Sequence, residues 1–241
     1  DAQGALTITD DDSTPSLSIA DGTSTDENSV TVVVSLSSAS GRSVTVNAAA
    51  SDGTATEGSD FNAFSSTVTF ASGETTKSVS IPLVNDSADE DDETFTVTLS
   101  SANNATISTA TATATITDDD APPALSIQSV SVAENAGTAS LNVTLDAASE
   151  KTITVDFASS AGTACHCSSD FTAISSTTLT FTAGQTSKTI SATIDDDSVD
   201  EMDETFDITL SNASNATIAV ATGTVTITDD DPAPTISIND V

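Results

Sequence analysis

The sequence predicts an all-β protein built from tandem immunoglobulin-like antiparallel β-sandwiches. Three observations support this fold class. Short runs of Val, Ile, Leu and Phe alternate with Thr and Ser, no window shows a convincing helical period, and a pattern of about 110 residues occurs twice. Alternation with a period of two puts apolar side chains on one face of a strand, whereas an amphipathic helix needs a period near 3.6.

Six alternating runs in the first repeat are predicted to be strands. In the clearest run, Phe95, Val97 and Leu99 share one face. The predicted strands cover residues 30–36, 43–49, 67–70, 78–84, 94–100 and 111–117. About seven short strands in about 105 residues are typical of an immunoglobulin-like sandwich. Pro82 has no amide donor, so we expect it at a sheet edge or a bulge.

The internal repeat covers nearly the whole chain. Thr-Ile-Thr-Asp-Asp-Asp occurs at 115–120 and at 226–231. A period near 110 residues exceeds that of solenoid repeats and matches a whole domain. We therefore divide the chain into the last strand of a preceding repeat (1–12), one repeat (13–120), a second repeat (121–231) and the first strand of a following repeat (232–241).

The two end segments predict a longer array. Residues 4–12 match 223–231, and residues 234–241 match the opening of the second repeat. If both ends are fragments of neighbouring units, Leu6, Ile8, Ile236 and Ile238 have no sandwich of their own. Exposed strand edges seek partners. We favour simple excision from an array, and the alternative is strand exchange between subunits.

The charge balance excludes several partner classes. The chain contains 4 Lys and Arg and 37 Asp and Glu, which gives a formal net charge of −33. This balance disfavours nucleic acid and acidic membrane surfaces as partners. With 37% hydrophobic residues the chain can still form packed cores, and it is not a disordered acidic tail. No run approaches the roughly 18 apolar residues of a membrane helix, so we expect no membrane insertion in this segment.

The acidic residues concentrate at two positions of each repeat. One run, at 86–93 or 195–204, precedes the strand of Phe95 or Phe206, and an Asp triplet follows the last strand. If the last two strands are antiparallel neighbours, both acidic segments lie at the same end of the sandwich. Like charges at close range repel, and hard divalent cations would neutralise them. The alternative is a set of solvated acidic loops in a halophilic or marine protein.

Several short motifs then make each repeat resemble a Calx-beta domain, a module of sodium–calcium exchangers, integrin β4 and large bacterial surface proteins. The motifs of the first repeat are Asp-Gly-Thr-Ala at 52–55 running to Asp60 and Phe61, the stretch 69–77, Asp-Glu-Thr-Phe at 92–95 and the Asp triplet. Those of the second repeat are Gly-Thr-Ala at 162–164, Asp170 with Phe171, the stretch 180–188, Asp-Glu-Thr-Phe at 203–206 and the Asp triplet. The combination is specific, although each motif alone is weak.

The resemblance implies a set of Ca²⁺ ligands in each repeat. For the first repeat they are Glu27, Asp60, Asp86, Glu90, Asp118, Asp119 and Asp120. For the second repeat they are Glu134, Asp170, Asp196, Asp197, Glu201, Asp229, Asp230 and Asp231. Asn85 stands where the second repeat has Asp196, so the first repeat lacks one carboxylate there. An EF-hand does not explain the acids, because the runs lack its central Gly and twelve-residue spacing.

These inferences predict a calcium-binding structural module of an extracellular or cell-surface repeat array, such as a bacterial-type adhesin, a matrix protein or a surface filament. Ca²⁺ would rigidify the junctions between repeats. The partners would be neighbouring repeats, with strand addition as one mode of contact, together with an unknown adhesion target. The alternative is a regulatory calcium-sensor domain pair. Cadherin-like adhesion also places ions at domain junctions, but the chain lacks the internal acidic motifs of cadherin repeats.

The remaining motifs do not predict an enzyme. Cys165, His166 and Cys167 replace Thr-Glu-Gly of the first repeat, but a tetrahedral zinc site needs further ligands. A strained disulfide, an intermolecular bridge or loop drift is the favoured explanation. His166 is the single His, and no nucleophile elbow or phosphate loop is present. The acidic runs without an aromatic platform for sugar fit metal ligation better than a glycosidase pair.

Overall fold

Strands dominate the computed structural model, which describes the chain except residues 1–3, 5, 8, 10, 25–27, 165–169 and 239–241. The chain forms two units, one of Asp1–Asp86 with Asp91–Asp119 and one of Ser87–Glu90 with Asp120–Val241. Within the described residues each unit contains nine strands in two sheets. The predicted all-β fold of tandem antiparallel sandwiches is confirmed. No helix in this part of the chain is long and apolar enough to cross a membrane.

The first unit has a four-stranded sheet, β6-β3-β1-β8, and a five-stranded sheet, β2-β9-β7-β4-β5. Its strands are β1 (Ser16–Ala20), β2 (Gly22–Thr23), β3 (Ser29–Leu36), β4 (Val44–Ser51), β5 (Ser65–Phe70), β6 (Thr76–Pro82), β7 (Glu93–Asn103), β8 (Thr106–Ile107) and β9 (Thr111–Ile116). The predicted runs differ from these strands by a few residues at their ends. Pro82 ends the edge strand β6, where a missing amide donor is tolerated.

The second unit repeats this arrangement with sheets β15-β12-β10-β17 and β11-β18-β16-β13-β14. Its strands are β10 (Ala124–Ile127), β11 (Val130–Ala133), β12 (Thr138–Leu145), β13 (Ile153–Ala161), β14 (Thr177–Phe181), β15 (Ser187–Thr193), β16 (Glu204–Ser214), β17 (Thr217–Val220) and β18 (Thr222–Thr228). A 3-10 turn, Glu134–Ala136, follows β11. The described residues 232–238 form no strand, and Ile236 and Ile238 are exposed.

Each core is built from the alternating apolar residues of both sheets, with stacked phenylalanines near one end. The rings of Phe61 and Phe95 lie 4.3 Å apart in the first unit. Those of Phe171 and Phe206 lie 3.9 Å apart in the second unit. All four rings are buried, so each stack fixes the loop that carries one ring to the strand that carries the other.

The Gly-Thr-Ala motif ties the same loop to the same strand. In the second unit the amide of Ala164 donates to the carbonyl of Thr205 at 3.0 Å, and the amide of Thr205 donates to Oγ1 of Thr163 at 2.8 Å. A Cβ on Gly162 would lie 2.4 Å from the oxygen of Thr205. Only glycine permits this approach, which explains why the motif begins with Gly.

Candidate metal centre

A buried glutamate marks the acidic end of the second unit. Glu134 is 6% exposed and begins the 3-10 turn after β11. Because β11 pairs in parallel with β18, this turn lies beside the Asp triplet that follows β18. Its Oε1 accepts a hydrogen bond from the amide of Asp197 at 3.3 Å. Glu134 therefore connects the Asp triplet with the acidic loop before β16.

The members of the Asp triplet have different contacts. Asn135 donates to Asp230 from its backbone amide and from its side-chain Nδ2. The carboxylate oxygens of Asp229, Asp231 and Glu134 lie within 4.8 Å of one another. Asp229 and Asp231 therefore form a cluster with Glu134, while Asp230 binds the adjacent turn.

A second cluster consists of Asp170, Glu201 and Glu204, whose oxygens also lie within 4.8 Å of one another. Asp170 precedes Phe171, and Glu204 stands two residues before Phe206, on the same face of β16. The stacked rings therefore bring the two carboxyl groups together, and a hydrogen bond joins their side chains. Asp170 is only 7% exposed.

The two clusters share one small cavity. Its volume is about 10 Å³, roughly the room that a single water molecule or ion needs. The lining residues are Glu134, Asp170, Glu201, Met202, Glu204, Ile227 and Asp229. The expectation that the two acidic segments of a repeat face each other is thus confirmed in the second unit, where β16 and β18 are antiparallel neighbours.

Burial and like charges disfavour the ionised form of several acids at this site. Burial, a hydrogen bond with Asp170 and nearby carboxylates raise the pKa of Glu204 to about 7. Burial, followed by the charges of neighbouring acids, raises the pKa of Asp231. Burial also raises the pKa of Glu134, although the Asp197 amide opposes the shift. Oδ2 of Asp231 is buried without a hydrogen-bond partner among the described residues.

These observations fit a hard divalent cation. All the side chains of the two clusters offer carboxylate oxygens, which such ions prefer. A cation would lower the raised pKa values, because it favours the charged form of each acid. It would also supply a partner for the buried Asp231 oxygen.

The first unit contains the counterparts of several of these residues. Carboxylate oxygens of Asp60 and Glu93 lie within 4.8 Å, as the stack of Phe61 on Phe95 requires. The amide of Asp118 donates to Oδ1 of Asp92 at 3.1 Å, which joins the segment after β9 to the segment before β7. Oδ2 of Asp60 also accepts a hydrogen bond from the amide of Thr56 at 2.7 Å.

The remaining predicted ligands have varied positions. Asp86, Asp119, Asp196 and Asp197 are exposed. Glu90 and Asp120 both belong to the second unit. Their roles as ligands of a site in the first repeat stay predictions. Glu27 lies outside the described residues, as do Cys165, His166 and Cys167.

Glu93 and Glu204 were not among the ligands predicted from the sequence. Both stand two residues before a core phenylalanine, so strand alternation places them on the core-facing side at the strand entry. A glutamate on the inner face of a strand needs a partner, because burial of an unpaired charge is costly. The Glu-Thr-Phe motif at 93–95 and 204–206 contains this signal, because its Glu and Phe share one face of the strand.

The chain therefore has the fold of a β-sandwich domain with carboxylates gathered at one end, a donor set that suits a hard divalent cation. The Calx-beta domain profile matches residues 10–120 and 124–231. The chain therefore belongs to the Calx-beta family and carries two such domains in tandem.

Several solved structures to which the chain is similar are Calx domains. CBD12 from CALX1.2 is 19% identical, with 88% of this chain and 99% of that chain covered and a TM-score of 0.43. The calcium binding domain CBD12 of CALX1.1 is 20% identical, with 82% and 79% covered and a TM-score of 0.42. The apo-form Calx CBD1 domain is 29% identical over 44% of this chain and 98% of that chain, with a TM-score of 0.41. None of the curated proteins compared with the chain matches it significantly.

Proposed function

We propose that the chain is a calcium-binding structural module whose second repeat holds Ca²⁺ between its two carboxylate clusters. The observation that carries this proposal is the shared cavity, which is lined by carboxylates from both clusters. The proposed ligands are Glu134, Asp170, Glu201, Glu204, Asp229 and Asp231. In the first repeat, Asp60 and Glu93 are the corresponding ligands.

The donor set favours Ca²⁺ over other common ions. Zn²⁺ prefers nitrogen and sulfur ligands in a tetrahedral site, whereas the described clusters offer only carboxylates. Mg²⁺ keeps several waters and is usually bound through one or two carboxylates. Ca²⁺ accepts about six to eight oxygens in flexible geometry, which suits ligands that come from four separate segments of one unit.

Bound Ca²⁺ would join these segments and stiffen the acidic end of the repeat. Glu134 follows β11, Asp170 lies in the loop fixed by Phe171, and Glu201 precedes β16. Asp229 and Asp231 follow β18 and lead out of the repeat. Ion binding therefore restrains the exit of the chain, which is the property that an extended repeat array requires. We propose an extracellular or cell-surface location, neighbouring repeats as partners and no catalytic role.

Affinity separates this structural role from a regulatory sensor. Sensor sites bind Ca²⁺ with dissociation constants of about 10⁻⁷–10⁻⁵ M, whereas extracellular modules bind at about 10⁻⁴–10⁻³ M. We expect the weaker range. Submicromolar binding accompanied by a change in shape would favour the sensor.

Isothermal titration of the full chain with CaCl₂ and MgCl₂ tests the site. We expect Ca²⁺ to bind in preference to Mg²⁺, and Glu134→Gln to remove binding in the second repeat because Glu134 is a buried ligand. Glu150→Gln changes the net charge equally at an exposed acid outside both clusters and serves as the control. Equal loss in both variants, or no Ca²⁺ binding by the native chain, would contradict the proposal.

A further inference from the structure

One aspartate of the second unit is buried against a turn that contains a lysine. Asp89, in the segment Ser87–Glu90, has a side chain that is 3% exposed. Nζ of Lys151 donates to its Oδ1 at 3.0 Å, and Oγ of Ser149 lies 2.8 Å from its carbonyl oxygen and 3.2 Å from Oδ2. The amide of Glu150 donates to the same carbonyl at 3.1 Å. These contacts make the turn a binding site for an acidic loop. We name this turn, formed by Ser149, Glu150 and Lys151, the second notch.

The first unit contains the same turn, formed by Ser40, Gly41 and Arg42, which we name the first notch. The amide of Arg42 donates to Oγ of Ser40 at 3.0 Å, and the amide of Lys151 donates to Oγ of Ser149 at 3.0 Å.

The turn carbonyls have equivalent partners as well. The Gly73 amide donates to the Ser40 carbonyl at 3.0 Å, and the Gly184 amide donates to the Ser149 carbonyl at 2.9 Å. The receptor geometry is thus present in both units.

A cavity of about 460 Å³ adjoins the first notch, within the range of about 300–1,000 Å³ found for ligand pockets. Its lining includes all three notch residues and Asn104. Asp12 also lines the cavity. The Arg42 guanidinium has five N–H donors, so it can bind two carboxylates at once. The first notch therefore combines the receptor turn with open space for a loop.

The matching loop of the second repeat is exposed. The octapeptide 86–93, Asp-Ser-Ala-Asp-Glu-Asp-Asp-Glu, corresponds to 197–204, Asp-Ser-Val-Asp-Glu-Met-Asp-Glu. Asp200 occupies the position of Asp89 but is exposed, and the adjacent Val199 is 54% exposed. Asp200 belongs to neither carboxylate cluster of the metal centre.

We propose that the first notch binds the Asp200 loop of a second copy of this chain. The contact would reproduce the pairing of Asp89 with the second notch, and Arg42 would take the place of Lys151. Because one copy offers the loop and another offers the notch, the contact is head-to-tail and generates rings or open chains of subunits.

Two charge-reversal variants test the proposal by sedimentation velocity of the full chain. The salt concentration is about 150 mM, where the Debye length is about 8 Å. We expect the native chain to form a concentration-dependent series of oligomers. Arg42→Glu and Asp200→Lys should each weaken association by roughly tenfold or more. Mixed in equal amounts, the two variants should associate again, because the intact notch of Asp200→Lys can bind the intact loop of Arg42→Glu.

Lys188→Glu is the matched control, because it changes the charge as Arg42→Glu does at a base outside the notch, and it should associate as the native chain does. Circular dichroism checks that each variant folds, and Arg42→Gln replaces Arg42→Glu if it does not. A native chain that stays monomeric would overturn the proposal. So would association that both reversals leave unchanged, which is expected for strand addition, or a mixture of the two variants that stays monomeric.

Discussion

The acidic loops of the two repeats carry equal charge but have different surroundings. Residues 85–93 and 196–204 each contain six acids. Asp89 is buried and bonded to Lys151 and Ser149, whereas Asp200 is exposed. In the second loop, Glu201 and Glu204 line a cavity with Glu134. The comparison shows that the position of an acid relative to bases, cavities and other acids determines its energetic role.

Removal of Ca²⁺ should have the largest effect. Ligand binding to the folded state adds about 2.7 kcal/mol at a hundredfold excess over Kd, and removal of the ion also restores repulsion among the acids. We expect the melting temperature to fall by roughly 10 °C or more in chelator, since about 1 kcal/mol shifts it by about 4–8 °C in a domain of this size. Calorimetry with and without EGTA measures this, and an unchanged melting temperature would argue against a calcium-stabilised fold.

Loss of the buried aspartate tests the loop comparison directly. Asp89→Ala should lower the unfolding free energy of the second unit by about 1–3 kcal/mol, because it removes the buried carboxylate that accepts a hydrogen bond from Nζ of Lys151. Asp200→Ala removes the same side chain at an exposed position and should stay within about 0.5 kcal/mol. Urea denaturation measures both variants, and equal effects would show that burial does not distinguish the two loops.

Neutralisation of the strand-entry glutamate should separate stability from ion binding. Glu204→Gln should lower Ca²⁺ affinity by roughly tenfold, because the site loses one charged ligand. Without Ca²⁺ the same variant should be as stable as the native chain or more so, since like-charge repulsion is reduced. Titration calorimetry and melting curves report the two effects, and Glu93→Gln makes the same test in the first unit. A variant that loses stability equally in both conditions would indicate a purely structural role for Glu204.

The raised pKa of Glu204 predicts a pH dependence of the metal-free protein. Its folded-state pKa of about 7 lies above the ordinary value of 4.5, so the folded state holds the proton more tightly than the unfolded state. The associated stability is fully present below about pH 4.5 and is lost as pH rises through about 7. In chelator the melting temperature of the native chain should therefore fall between pH 5 and 8, with a smaller slope in Glu204→Gln. An identical slope in both proteins would show that another group titrates.

The smallest effect should come from the position that differs between the repeats. Asn85→Asp adds a carboxylate to the first repeat, and Asp196→Asn removes one from the second. Asp196 is exposed, although its charge helps to raise the pKa of Asp231. We expect changes in Ca²⁺ affinity of about two- to fivefold, upward for Asn85→Asp and downward for Asp196→Asn. Calorimetric titration measures both, and a change in the opposite direction would reject the assignment of this position to the site.

Local residue patterns were enough to predict the fold class, the tandem repeat and the meeting of two acidic segments. These features follow from the alternation of apolar and polar residues and from the antiparallel pairing of neighbouring strands. Both can be predicted from the sequence. Asp170, which precedes a core phenylalanine, was predicted from the resemblance to the Calx-beta domain. The very short strands β2 and β8 were not predicted, since two residues are too few to show a period.

Which acids lie together depends on tertiary packing, which the local residue pattern does not show. The stack of Phe171 on Phe206 brings Glu204 to Asp170, and the turn of Asn135 binds Asp230 while Asp229 and Asp231 join Glu134. Likewise, only the position of Lys151 and Ser149 makes Asp89 a buried residue while Asp200 stays exposed. The physical reason is that electrostatic energy depends on distance and burial in three dimensions, and adjacent residues of the same type carry no local signal of either.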